Sequence, residues 1–327
     1  MSVHAGSNAK EIIVVGSLNL DLVATVPRFP QSGETITGLG FERHTGGKGA
    51  NQAVAAALAG ARVRMIARHG SDGFEAHLLA TLRETGVDTS GIMPVEGASG
   101  VAVILVTESG QNSIVVVPGS NGRLERKNIR AEEERIAASC LVLTQLETPL
   151  EVLDETLSIA VRAGVPVMLD PAPVQPLRAD ILQRVTWLTP NETEAGTLVG
   201  APVPDAEGLL GFVDRLLALG PQNVLLKLGG NGAFVATRSG LREHIAGHRV
   251  DAIDTTAAGD ALNGAMAAAL CNGADPVEAA RFGVAAAALS VTRRGAIPSL
   301  PRLLEIERFR ATNGDHLPPK ELESEIL

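Results

Sequence analysis

The sequence predicts an α/β architecture: a mostly parallel central sheet flanked by helices on both faces and carrying a small β-sheet lid. Short apolar runs rich in β-branched residues recur along the chain, beginning with Glu11 to Gly16 (EIIVVG). An uninterrupted apolar run of that length is a strand buried on both faces. Helical patterns separate most of these runs, and strand, helix, strand repetition builds a parallel sheet. Two β-rich stretches break the rhythm, and they predict the lid.

In chain order, the first strand ends at Gly16. Leu18 to Phe41 follows, with Pro27, Pro30, Gly33 and Gly38 among short alternating pieces, and gives the first part of the lid. A helix spans Gly49 to Leu58, a strand Val63 to Ala67 and a helix Phe74 to Glu84. Gly100 to Val117 holds two β-rich pieces, VAVILVT and SIVVV, joined by a Glu-Ser-Gly-Gln-Asn turn, and completes the lid with antiparallel strands. Further strands are expected at Leu141 to Leu146, Val165 to Leu169, Trp187 to Thr189 and Val224 to Leu228, with helices at Leu150 to Ala163 and Leu209 to Leu219. Arg249 to Ile253 is expected as a strand leading into a small-residue helix, Ala261 to Leu270. The expected organisation is one α/β domain over 11–310, its lid inserted from about 18–41 and 100–117, with a disordered segment at 1–10 and a polar, loosely held tail at 311–327.

A chain of 327 residues suffices for one large domain of this kind. Its net charge of −9 repels phosphate backbones, and 2% aromatic residues, with no Tyr and one Trp, leave little on which to stack bases. Nucleic acid is therefore excluded as a partner. Small anions are not, because helix dipoles act locally whatever the net charge. Cys140 and Cys271 lie far apart outside any CxxC or Cys/His cluster and read as buried, reduced thiols. No signal-peptide run and no long uncharged apolar span are present, so a cytoplasmic protein without membrane contact is expected. At that location the Asn191-Glu192-Thr193 triplet is no glycosylation site. The seven His show no metal spacing.

Asp254-Thr255-Thr256-Ala257-Ala258-Gly259-Asp260 carries the strongest chemical signal. Small residues at Ala257, Ala258 and Gly259 let a ligand approach the backbone, whose N–H groups at a helix start form an anion site. A lone Asp there is an N-cap. Here Asp254 adds a second acid six residues earlier, and a carboxylate beside an anion hole can take a proton from a hydroxyl while the hole stabilises a transferring group. Gly46-Gly47-Lys48-Gly49-Ala50-Asn51 opens another helix without P-loop spacing; by itself it is a tight turn, yet Lys48 and Asn51 would offer an ammonium and an amide at one mouth. Asn19, Asp21 and Glu147 follow strand ends. Singly each is a turn former, and together they would converge on the crevice where open α/β sheets bind ligands. Asn191 and Glu194 suit a hydrated Mg²⁺ and equally form a capping box. Lys227 with Gly229, Gly230, Asn231 and Gly232 makes a glycine-rich turn that either brackets a nucleotide or forms a plain hairpin.

The chain resembles the ribokinase family of carbohydrate kinases, the PfkB superfamily. The superfamily's two signatures correspond to GGKGANQA from Gly46 and DTTAAGDALNGA from Asp254. Between and around them stand NLD from Asn19, SGVAVI from Ser99, PGSN from Pro118, QLETPLE from Gln145, DPAP from Asp170, TPNETEA from Thr189 and VTRRGAIPS from Val291. The similarity is collinear from about Ile12 to Phe309.

The resemblance implies transfer of the ATP γ-phosphate to the 5-hydroxyl of D-ribose, on an α/β sandwich whose lid also serves as a homodimer interface. It implies Asp260 as general base and an anion hole from the N–H groups of Ala257, Ala258, Gly259 and Asp260. Asn19, Asp21, Gly47, Lys48, Gly49, Asn51 and Glu147 would hold the sugar. Asn191, Lys227, Gly229 to Gly232, Gly259 and Val284 would face ATP, with Glu194 organising Mg²⁺ through water. K⁺, as monovalent activator, would sit with Asp254, Thr256, Ser290, Arg293, Gly295 and Ser299. Lys227 stands where family members often have Thr, and Phe282-Gly283-Val284-Ala285 where many have Asn or His near adenine, so an aliphatic wall is expected there. Deoxyribose, a ketohexose and adenosine are the alternative substrates, and a non-catalytic sugar-binding relative is the alternative class. A Rossmann oxidoreductase is excluded, because Gly16-Ser17-Leu18-Asn19 is not GxGxxG.

Overall fold

Four consecutive β-branched residues make β1 (Ile12–Val15) a strand buried along its whole length. The structure, a computed structural model, describes residues 11–313. After β1 come β2 (Asn19–Val26), β3 (Gly40–Gly46), α1 (Lys48–Leu58), β4 (Val63–His69), α2 (Glu75–Glu84) and β5 (Val87–Pro94). The hairpin of β6 (Gly100–Thr107) and β7 (Asn112–Val117) leads through α3 (Arg126–Arg130) and α4 (Glu133–Ala138) to β8 (Leu141–Thr144). The alternation continues with α5 (Leu150–Ala163), β9 (Val167–Leu169), α6 (Ala179–Leu182), β10 (Trp187–Leu188), α7 (Glu192–Val199), α8 (Ala206–Ala218) and β11 (Asn223–Lys227). A hairpin of β12 (Ala233–Thr237) and β13 (Arg242–Ile245) precedes three helices, α9 (Ala258–Cys271), α10 (Pro276–Ser290) and α11 (Leu303–Asn313).

The main sheet has nine strands in the order β13-β12-β11-β10-β9-β8-β1-β4-β5, parallel from β11 through β5, with β12 and β13 antiparallel. From β1 the chain builds outward to β4 and β5, then returns to β8 on β1's other side. The C-terminal ends of β1 and β8 therefore flank the point where strand order reverses, which is where open α/β sheets bind ligands. Alternation along β1 sends Ile12 and Val14 into a core with α1 and α9, and Ile13 and Val15 into a second core with α5 and α8. Both sheet faces are thus covered by helices.

The lid is a separate four-stranded sheet, β3-β2-β6-β7. Its central pair, β2 and β6, runs parallel rather than antiparallel, because the two excursions leave the domain in the same direction. Asn19 and Asp21 lie on β2, so the lid itself carries residues to the switch point.

Three local expectations are corrected. Arg249 to Ile253 is not a strand: charged residues alternate there, Ile253 is exposed, and its N–H instead meets the Val291 carbonyl. Cys140 and Cys271 are not separate thiols. They form a disulfide across 131 residues, because Cys140 precedes β8 and Cys271 ends α9, which packs against β8. The helix α11 continues to Asn313, into the expected tail, while 1–10 and 314–327 lie outside the described residues. Among the described residues no helix is long and apolar enough to cross a membrane.

Candidate active site

The glycines at the start of α1 bring three chain segments together. Gly49 packs against the backbone of Gly16 and Ser17, where any Cβ would collide, and Gly47 takes φ = 90° as the residue capping the helix. The Glu147 carboxylate, after β8, accepts hydrogen bonds from the Ser17 hydroxyl and from the Lys48 N–H at 3.0 Å. The ends of β1 and β8 and the start of α1 are thereby one unit. Asn19 is fixed by its neighbour Asn121, whose Nδ2 donates to Asn19 Oδ1 at 2.6 Å.

Charge at this unit is set by burial. Burial raises the Asp21 pKa to about 7, assisted by Glu147 and opposed by His44. For Lys48, burial works to lower the pKa, but Asp260, Asp170, Glu147 and Glu194 outweigh it and hold the ammonium charged well above its ordinary range. A lysine among carboxylates in this way stays protonated throughout the neutral range.

The facing wall is the start of α9. Ala257 is the single non-glycine with positive φ among the described residues (φ = 60°), a left-handed conformation that costs of order 1 kcal/mol and turns the chain sharply into the helix. The first N–H groups of a helix have no intrahelical acceptor and carry the positive end of its dipole. Asp260 sits in this first turn, buried, with Oδ2 receiving Asn51 Nδ2 and Oδ1 receiving Gln52 Nε2, both at 2.9 Å. Burial raises its pKa to about 6; Lys48 opposes the rise, Asp170 adds to it, and the two amides oppose it. A carboxylate so poised is ionised at neutral pH yet basic enough to accept a proton. Lys48, Asp170, Asn191, Glu194, Lys227, Gly229, Ala257, Ala258, Gly259 and Asp260 line one cavity of about 440 Å³.

Comparison with known proteins agrees with this geometry. Residues 9–303 match the family model described as pfkB family carbohydrate kinase. The chain belongs to the pfkB family of carbohydrate kinases. It is 43% identical over 301 residues to a ribokinase of Haemophilus influenzae, covering 92% of this chain and 98% of that one. A crystal structure of ribokinase from Thermotoga maritima superposes with a TM-score of 0.84 at 38% identity, covering 92% and 99% of the two chains. The structure of Arabidopsis thaliana ribokinase complexed with ribose and ATP superposes with a TM-score of 0.87 at 32% identity, over 92% and 98%.

Where the sequence places the nucleotide contacts of this carbohydrate kinase, Asn191 caps α7 in a capping box. Its N–H and Nδ2 reach the two Glu194 oxygens, and its Oδ1 accepts from the Glu194 N–H, all at 2.8 Å. Burial raises the Glu194 pKa against the pull of Lys227. Among the described residues no three His, Cys, Asp or Glu are grouped as a metal cage. Gly229 reaches the cavity, while Gly230 and Asn231 lie on an exposed short turn and Gly232 closes it. Val284 is buried in the core cluster that α9 shares, outside the lining of this cavity. The Asp254 carboxylate ties two distant segments, accepting from Thr256 N at 2.9 Å and Gly295 N at 2.8 Å. Burial acts to raise its pKa, but these bonds and the nearby Arg294 charge bring it below the usual carboxylate range. Ser290 ends α10 and Ser299 lies in a short turn near it in sequence, both buried; Arg293 directs its guanidinium away, to Glu305. Four residues with no predicted role also belong to the site region: Ser17, Asn121, Gln52 and Asp170. Of these, Gln52, Asn121 and Asp170 stand inside the resemblance-bearing stretches GGKGANQA, PGSN and DPAP, which was the available signal.

Proposed function

We propose that the protein phosphorylates D-ribose at the 5-hydroxyl, converting ATP to ADP and giving ribose 5-phosphate. The observation that carries this reading is the buried Asp260 carboxylate in the first turn of α9, beside helix N–H groups and the Lys48 ammonium. The ribokinase relatives, one of them complexed with ribose and ATP, support the choice of sugar.

Asn19, Asp21, Gly47, Lys48, Gly49, Asn51 and Glu147 orient the sugar from the lid and the start of α1. Two carboxylates and two amides there can satisfy several ring hydroxyls at once. A sugar lacking one of those hydroxyls leaves a buried polar group unpaired, at a cost of roughly 1 to 3 kcal/mol. Asp260 takes the 5-hydroxyl proton as that oxygen attacks the γ-phosphorus; the bond to the β–γ bridging oxygen breaks, and its electron pair leaves on ADP. The N–H groups of Ala257 to Asp260, with Lys48, stabilise the charge spread over the transferring group. Asn191, Lys227 and Gly229 to Gly232 border the nucleotide, and closing the lid excludes water.

The residues fit Mg²⁺ carried by ATP rather than caged by protein: both Glu194 oxygens already accept from Asn191, and their remaining lone pairs can hold the ion's waters. Bound Mg²⁺ neutralises β- and γ-phosphate charge. A K⁺ at Asp254, with Thr256, Ser290, Arg293, Gly295 and Ser299, suits a carboxylate held ionised between two chain segments, and its effect is to stiffen the loop that leads to the anion hole. The exposed apolar strand β7 supports a homodimer formed through the lid. A cytoplasmic setting, where ATP is abundant, fits the reaction, while the Cys140–Cys271 disulfide is uncommon in such a reducing compartment.

A coupled ADP-release assay over ribose, 2-deoxyribose, fructose and adenosine tests the substrate. Ribose is expected to give the highest kcat/KM; preference for another acceptor contradicts the reading.

A further inference from the structure

Behind the general base runs a buried hydrogen-bonded chain that the mechanism above leaves without a role. Gln145 Nε2 donates to Gln52 Oε1 at 2.7 Å. Gln52 Nε2 then donates twice, to Asp260 Oδ1 and to Asp170 Oδ2, both at 2.9 Å. The other Asp170 oxygen takes the Lys227 ammonium at 2.9 Å. Gln52 is 0%, Gln145 1%, Asp170 2% and Lys227 9% exposed. These residues come from α1, from the ends of β8 and β9, and from β11.

The Gln52 amide has no freedom left. Both its N–H bonds point at carboxylate oxygens and its carbonyl is held by Gln145. The reversed amide would set a carbonyl oxygen against two carboxylates, an arrangement that burial makes costly. Asp170 in turn keeps its direction because Lys227 compensates its charge; a buried carboxylate without that partner is strongly unfavourable. Asp260 is thus gripped on one oxygen by Asn51 and on the other by Gln52, whose chain of partners runs on through Asp170 to Lys227 at the wall of the same cavity.

We infer that Gln52 is a positioning residue for phosphoryl transfer: held by Gln145 and by the Asp170–Lys227 pair, it fixes the direction of the Asp260 carboxylate toward the sugar hydroxyl. Lys227 accordingly acts on the base through Asp170 and Gln52, in addition to bordering the nucleotide. The inference rests on the assignment of Asp260 as base, and it does not depend on which sugar is the acceptor. A misdirected base loses rate steeply, since a displacement of about 1 Å costs up to about a hundredfold.

The test compares the wild type with Gln52→Met, Asp170→Asn and the double variant, measuring kcat at saturating ATP and sugar together with sugar affinity by calorimetry. The sugar is whichever acceptor the wild type turns over best, so a failed ribose assignment is read from the wild type alone. Gln52→Met is expected to lower kcat by about tenfold to a hundredfold with sugar Kd within about twofold. Asp170→Asn keeps the side-chain shape but sets an N–H₂ against either Gln52 or Lys227. It is expected to lower kcat severalfold in the wild-type background and to add almost nothing to Gln52→Met. Unchanged kcat in Gln52→Met, a loss confined to sugar affinity, or effects that multiply in the double variant would each overturn the inference. If Gln52→Met does not fold, the same split between kcat and Kd in Asp170→Asn decides it.

Discussion

The Asp21 carboxylate lies against the α-carbon of Gly46, so close that a methyl group on Gly46 would overlap all three of its terminal atoms. β2 and β3 pair here, and the absent side chain leaves the space in which the lid's acid is held. Gly46→Ala must therefore displace Asp21. The expected result is a sugar KM raised by about tenfold or more with a smaller loss in kcat, read from a ribose titration. An unchanged KM would remove Asp21 from the sugar site.

The acid limb of the pH profile follows from two carboxyls, the buried Asp260 and the half-buried Asp21. Asp260 must be ionised to accept a proton, and its pKa lies at about 6. Asp21, at about 7, must lose its proton to accept two hydroxyl hydrogens. Both pKa values are raised, so activity is present above them and is lost as pH falls through them. kcat/KM is expected to decline from pH 8 downward and to drop steeply below pH 6; Asp21→Asn should leave a single limb near pH 6. A profile flat from pH 8 to pH 5 contradicts the assignment of Asp260 as base.

Monovalent ions are expected to matter through the loop that Asp254 ties to Gly295. Replacing K⁺ by Na⁺ or Li⁺ at constant ionic strength should lower kcat several-fold, and Asp254→Asn should abolish that dependence. Equal rates in all three ions would mean that the loop needs no ion.

The lid presents an apolar face: Phe41 is 63% exposed and Val115 61%, and every residue of β7 is exposed. An edge strand of this composition is unfavourable in water unless covered. Sedimentation is expected to find a dimer at micromolar concentration, and Val115→Lys is expected to give monomers. A monomeric wild type would show that the lid face has another role.

Much of the site was legible because its parts are local in sequence. The glycines from Gly46 to Gly49 and the run from Asp254 to Asp260 each form one turn and one helix start, so their spacing carries their geometry. The central strands were legible for a similar reason: Ile12 to Val15 is buried on both faces and needs no partner in sequence to reveal it. What escaped is non-local. Gln52, Gln145, Asp170 and Lys227 meet only because β8, β9 and β11 end on one side of the sheet as α1 begins there. The Cys140–Cys271 pairing needs the packing of α9 on β8. No sequence signal marks Ala257 as left-handed, since alanine there relies on the surrounding turn to hold it.

The central claim is that Asp260 removes the proton from the sugar hydroxyl during transfer from ATP. The most direct measurement sets ADP release with ribose by Asp260→Asn against ribose binding to the same variant by calorimetry. The account predicts kcat lower by about a hundredfold to ten-thousandfold with ribose affinity largely retained. Turnover equal to the wild type would contradict it.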